Sequence, residues 1–429
     1  MGTRVLLVGL DAADRGLVNR WAASGALPTI ARLQREGVSG TLAPLFGLGD
    51  DAVWSSFSTA TTPSRHGRWY HARLGPDGVS LEHVTRDQTL VPPFWDALAT
   101  AGKRVAVVDV PKSPIGAGAS VVVADWMPHG GDEPRAVFSD AARARGLDRR
   151  IAPDPTFDCD RRLRTARKAA EFERRLAARA RARRDLVQTM LVDDDWDLVV
   201  TTFAETHCVG HTCWHDQDAV ERVYRQVDAH LAALIDAAGP EATVVAFSLI
   251  GMGPNHSGTH LLPSVLARLG PDAPRRYMVL PLDLRTSAIR IARETEGDDA
   301  RLELSALLRG LTDPETGDAL VRDVVLVDEV DPGPFAGNFA DVLVEWESTR
   351  PITAARVDGS HVVRRRPPRD RSGNHDGGGW FVARGPELAP SAIELSHPIV
   401  DLAPTIAEWL GVELERVDGA PIAPLTRPM

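Results

Sequence analysis

Short apolar runs rich in valine recur along this chain, separated by longer amphipathic stretches, and that alternation restricts the fold more than any other feature. Val5–Gly9, Val105–Val110, Ser120–Ala124, Asp197–Thr202 and Thr243–Ser248 are apolar over most of their length. A strand covered by helices on both faces reads as such a continuous run, whereas a strand with one wet face alternates. Helical patterns lie between the runs: Thr29–Gly37 after a Leu-Pro start, Pro93–Gly102 closing on glycine, and a long stretch over roughly 161–193. The pattern predicts an α/β fold, a central and mostly parallel sheet with helices on both faces. No self-similarity at a period of roughly 20 to 50 residues is present, which excludes solenoids and propellers.

The expected organisation is an α/β core over 1–269 with a helical insertion at about 126–195, then a smaller inserted cap over 270–345. In the cap, Arg276–Pro281 and Ser287–Ile291 are strand candidates around a helix-like 299–311. Residues 346–429 return to the core: the Arg- and Pro-rich segment 364–371 reads as a loop, followed by a strand at Trp380–Ala383 and a last helix near 400–411.

Charge and composition remove several classes. Acidic residues number 59 against 49 basic ones, for a net charge of −10, so no overall positive field draws nucleic acid. The Arg-rich stretch 161–184 is mixed with Glu, Asp and Ala and reads as a solvated helix face. No apolar run approaches the ~20 residues of a membrane span. Three cysteines, Cys159, Cys208 and Cys213, form neither a disulfide framework nor a CxxC pair. The N-terminal residues lead directly into Val5–Gly9, which reads as a first strand rather than a secretory leader. The expected compartment is the cytoplasm.

In open α/β sheets ligands bind beyond the C-terminal ends of the strands, so polar residues just after each run are the candidates. Asp11 follows the first run and reads as a site carboxylate or as part of a helix cap. Asp50 and Asp51 precede Trp54 at what reads as a helix start, where they are caps, a solvated turn or site groups. After Asp197–Thr202 come Glu205, His207 and His211; the two histidines are four apart, which on a helical turn puts both imidazoles on one face as a divalent-metal chelate. His375, followed closely by Gly377, Gly378 and Gly379, reads as a tight loop with unusual backbone angles that delivers a ring to a crowded place.

Taken together these residues resemble the alkaline phosphatase superfamily, in its type I phosphodiesterase/nucleotide pyrophosphatase branch. The matching stretches are Val5–Asp11 with Leu27-Pro28, Trp54–Gly67, Asp197–His211, Ser248–Met252, His375–Gly379 and Asp401–Thr405, in family order over nearly the whole chain. The resemblance implies a central sheet with helices on both faces, a smaller inserted cap, and two zinc-like ions that clamp a phosphoryl group while a Thr or Ser attacks it. Asp11 matches the first-strand metal ligand, His211 the His of the Asp-x-x-x-His element, and His375 the His of the His-x-x-x-Gly element.

Four positions depart from the pattern. The attacking hydroxyl falls on Asp50, His207 stands for the Asp of Asp-x-x-x-His, and Ser-Asp-His-Gly-Met reads Ser248-Leu249-Ile250-Gly251-Met252. One metal site therefore keeps His207, His211 and His375, with room for a fourth donor. The other keeps Asp11 with Asp50 or Asp51, a set that holds Mg²⁺ or Ca²⁺ loosely and zinc poorly. His256 and His260 follow the altered strand as substitute ligands or as residues at the next helix start. The expected cofactor is one tightly bound divalent ion, zinc first, with Asp50 as general base, outer ligand or nucleophile. Asp51 and Glu205 are supporting or substitute ligands. The expected function is a metal-dependent hydrolase or transferase acting on a small-molecule phosphoester, phosphodiester or related sulfuryl ester, without nucleic-acid or membrane partners. The alternative is a non-catalytic relative that keeps the fold and a pocket.

Overall fold

The computed structural model describes residues 4–425 apart from 47–49, 76–77, 79, 85–88, 113, 117, 119, 127–135, 152–158, 160–161, 164, 281–284, 293–297, 348 and 368–370. Among the described residues nine strands form the main sheet. In spatial order they are Ser391–Pro398, Val38–Ala43, Gly373–Arg384, Thr243–Pro254, Val5–Leu10, Leu198–Phe203, Val105–Val108, Val121–Ala124 and Val137–Phe138. Seven run parallel; Gly373–Arg384 and Val137–Phe138 run against their neighbours.

The central strand Val5–Leu10 is buried over its whole length, and its side chains divide between two apolar layers, as the pleat requires. Leu6, Val8 and Leu10 join the layer made by the helices Arg15–Ala23, Pro28–Glu36, Ala166–Asp193 and Gln217–Ala238. Val5 and Leu7 join the opposite layer, which takes Trp54 and Phe57 from the helix Asp50–Thr59, Trp95 from Phe94–Thr100 and Ile406 from Leu402–Trp409. Each fully buried aliphatic side chain contributes about 1.5–3 kcal/mol to this packing. The two-sided burial explains the continuous valine runs.

A second, antiparallel sheet of Tyr277–Val279, Ser287–Ile291, Val342–Trp346 and Val321–Leu326, in that order, packs with the helix Asp298–Arg309 around its own apolar cluster. That cluster draws side chains from Leu261 through Val363. Polar contacts fasten it to the main body. Asp331 accepts from the Ser64 hydroxyl at 2.6 Å and the Ser64 backbone N–H at 2.9 Å, both buried, and Arg285 pairs with Asp376.

Two expectations need correction. The segment around His375 is part of the long strand Gly373–Arg384, not a loop. Its glycines answer to close packing: a Cβ on Gly379 would lie 2.1 Å from the Ser248 carbonyl oxygen, and one on Gly378 2.4 Å from that of Leu42. The unusual backbone is confined to a register shift between His375 and Gly378, where Gly377 has φ 73°. The Arg-rich helix, observed as Ala166–Asp193, is not solvated all round, because Arg179 and Arg183 belong to its buried face with Phe172, Leu176, Val187 and Leu191.

Candidate metal centre

The strand Leu198–Phe203 is followed at once by the helix Glu205–Cys213, all nine residues of which are buried. Residues four apart on a helix lie one above the other, so the His207 and His211 rings meet with centroids 4.5 Å apart. His375 arrives from the antiparallel strand, opposite Met252 and immediately before the register shift. Its ring centroid lies 4.8 Å from that of His207 and 5.0 Å from that of His211. One nitrogen from each ring falls within 4.8 Å of the other two, and the residues are only 3%, 1% and 4% exposed for His207, His211 and His375.

Hydrogen bonds orient two of the rings. His211 Nδ1 donates to the Gly373 carbonyl oxygen at 2.9 Å, which leaves Nε2 as a lone pair; that buried atom has no hydrogen-bond partner among the described residues. Burial first, then Arg371 and the two neighbouring imidazoles, holds the His211 pKa well below the ordinary histidine range, so the ring is neutral. His207 Nδ1 lies 2.7 Å from Asp11 Oδ2, and the other Asp11 oxygen accepts from the Trp54 indole N–H at 2.8 Å. Leu10 and Phe203 are partners on adjacent strands, which brings Asp11 beside the start of the His207 helix.

The remaining candidates separate. Glu205 is engaged by an arginine: both its oxygens accept from Arg183 Nη1 at 2.8 Å, while Arg183 Nη2 reaches Asp109 at 2.9 Å. Leu249 and Ile250 are 1% and 2% exposed and belong to the apolar layer. Ser248 accepts from the Ala13 N–H at 3.0 Å and donates to the Ile250 carbonyl at 2.8 Å. His260 lies 3.2 Å from the Arg365 carbonyl, and neither it nor His256 belongs to the imidazole cluster. Asp50 and Asp51 open the helix Asp50–Thr59, one turn ahead of Trp54, but their side chains lie outside the described residues.

The Asp11–His207 contact, the Trp54 contact and the Arg183 triad were not anticipated from sequence. The first was within reach: Asp11 and His207 both follow central strands, so pairing of those strands brings them together.

The donor set suits a divalent ion. Zinc binds imidazole nitrogen at ~2.0–2.1 Å and takes such nitrogens in a tetrahedral set, and the three donor atoms here all lie within 4.8 Å of one another. Among the described residues this is the one group of three ligating side chains that converges.

The fold has solved relatives. A structure of murine ectonucleotide pyrophosphatase/phosphodiesterase 5, an inactive form in complex with AMP, is 15% identical with a TM-score of 0.58, covering 97% of each chain. Phosphonoacetate hydrolase from Sinorhizobium meliloti 1021, in complex with phosphonoacetate, is 17% identical with a TM-score of 0.59, covering 96% of this chain and 95% of that one. The human ectonucleotide pyrophosphatase/phosphodiesterase 5 is 14% identical with a TM-score of 0.58, covering 97% of each chain. No curated protein matches the chain by sequence. The family described as type I phosphodiesterase/nucleotide pyrophosphatase matches residues 5–376, from the first strand to the residue after His375, and with the fold in agreement the chain belongs to that family.

Proposed function

We propose that this protein is a metal-dependent hydrolase of small phosphoesters, with one divalent cation, zinc first, held by His207, His211 and His375. One observation carries the reading: three buried imidazoles from two distant segments converge, and His211 presents a bare Nε2 inside the protein with nothing among the described residues to receive it. An unsatisfied buried acceptor is costly unless a ligand completes it.

A cation bound there supplies Lewis acidity toward a substrate oxygen and a lowered pKa for water. The protein's part is to hold three imidazoles in place, to exclude bulk water through burial of all three, and to move a proton. For that last task we assign Asp50 as general base, because its helix is the one that sends Trp54 to Asp11. The substrate class, a phosphomonoester, phosphodiester or nucleotide-like ester, follows the family and the small phosphorus-containing ligands of the solved relatives. The acidic net charge supports a small-molecule substrate over nucleic acid. No helix among the described residues is long and apolar enough to cross a membrane, and the three buried, free cysteines support placement in the reducing cytoplasm.

The test is hydrolysis of nitrophenyl phosphate, bis(nitrophenyl) phosphate and nitrophenyl sulfate by native, chelator-treated and zinc-restored protein. The expected result is phosphoester turnover that is lost on chelation and restored by zinc, with Asp50→Asn lowering kcat by about 10²–10⁴. A zinc-loaded protein that turns over none of the three is instead the non-catalytic relative, the reading favoured by the two aliphatic residues at Leu249 and Ile250.

A further inference from the structure

We propose that Asp11 is a positioning residue and not a metal ligand: it holds His207 with its proton on Nδ1, so that Nε2 faces His211 and His375, and Trp54 locks the carboxylate in that orientation. This rests on the single-cation reading given above.

The main chain fixes Asp11 first. Its N–H donates to the Phe203 carbonyl at 3.0 Å and its carbonyl accepts from the Thr206 hydroxyl at 2.7 Å, so the end of one strand is pinned to the start of the His207 helix. The side chain, on a residue only 1% exposed, then has each oxygen engaged by a different element, Trp54 Nε1–H at 2.8 Å and His207 Nδ1 at 2.7 Å. A carboxylate only accepts, so Nδ1 carries the proton of this contact and Nε2 is the ring nitrogen left for the cluster.

His211 is treated in the same way by another acceptor, the Gly373 carbonyl. Two rings of the cluster thus have their Nδ1 protons tied to acceptors on other strands, the arrangement by which an outer carboxylate or carbonyl sets the tautomer and angle of a ligating histidine. On the other side, a cation drawn to Asp11 would meet Leu249 and Ile250 where the family pattern supplies ligands, and both are buried aliphatic groups. His207 and the lost ligand pair therefore read as one change: the carboxylate that no longer serves a second ion serves an imidazole.

Asp11→Asn separates the roles. Asparagine offers one acceptor oxygen and one donor amide, whereas Trp54 and His207 both donate. With the amide oxygen on the Trp54 N–H, the amide NH2 faces His207 Nδ1, which must then accept, so the ring carries its proton on Nε2, toward the cluster.

The experiment combines ¹⁵N-histidine NMR of the metal-free full-length protein with zinc affinity measured against a chromophoric chelator. Wild type is expected to show the His207 resonance, assigned through His207→Gln, with Nδ1 protonated and Nε2 bare. Asp11→Asn is expected to lose that signature and to bind zinc about 10- to 100-fold more weakly, with the count of bound ions unchanged at one. Trp54→Phe keeps the tautomer and loses less affinity. The proposal is overturned if wild type binds two ions and Asp11→Asn one, if Asp11→Asn leaves tautomer and affinity unchanged, or if wild-type His207 carries its proton on Nε2. Should Asp11→Asn fail to fold, the wild-type spectrum and Trp54→Phe decide. Failure of wild type to bind zinc would defeat the single-cation reading, while the metal-free spectrum reports on His207 independently.

Discussion

A buried neutral imidazole ties stability to pH on the acid side, as His66 illustrates. It is wholly buried; Nδ1 accepts from the Arg68 backbone N–H at 3.1 Å, so Nε2 carries the proton and donates to the Ser56 hydroxyl at 2.9 Å. That direction makes the pair structural, because a histidine that activates a serine must accept its proton. Burial, with the Arg68 charge adding to it, pushes the His66 pKa down to about 3. In the unfolded chain the same group protonates near ~6.5. Between the two values the unfolded state binds a proton that the native state does not, so stability is intact above pH ~6.5 and falls as pH drops toward about 3. Over that whole window the loss amounts to roughly 5 kcal/mol. Urea midpoints recorded across the window are expected to decline with falling pH in wild type and to decline less steeply in His66→Gln; equal slopes would remove His66 as the cause.

At the scale of the element, the helix Ala166–Asp193 shows what composition conceals. Its arginines read as solvent-facing, yet Arg183 is fully buried and bridges Asp109 and Glu205. Burial works to lower its pKa, but the two carboxylates outweigh that and raise it. Glu205 is the first residue of the helix that carries His207 and His211, so the triad also ties that helix to Ala166–Asp193. Arg183→Met removes the guanidinium shared by two buried carboxylates and is expected to destabilise the fold by about 3–5 kcal/mol, measured by urea unfolding. A loss under ~1 kcal/mol would show that the triad contributes little. The strands over Val5–Leu10, Val105–Val108, Val121–Ala124, Leu198–Phe203 and Thr243–Pro254 were legible because burial on both faces writes itself as an apolar run. Val38–Ala43 and the largely exposed Ser391–Pro398 carry no such run, and so were not anticipated. His207 and His211 were legible through their i,i+4 spacing. Dense glycine around His375 signals either turning or close packing, and only the paired strands show which.

For the molecule as a whole, the site is a product of topology. Asp11 directly follows the first central strand, His207 and His211 follow the next, and His375 returns on an antiparallel strand after the second sheet. Family motifs made this order visible in the sequence, but they did not show the partner of each ring, since that depends on register between segments far apart in the chain. The central claim is that those segments close on one cation. Metal analysis of the purified chain, with zinc-edge X-ray absorption on the same samples, tests it most directly. The expected result is one ion per chain in a shell of nitrogen and oxygen donors at ~2.0–2.1 Å, with occupancy falling sharply in His375→Ala. No bound ion, two ions, or full occupancy in His375→Ala would contradict it.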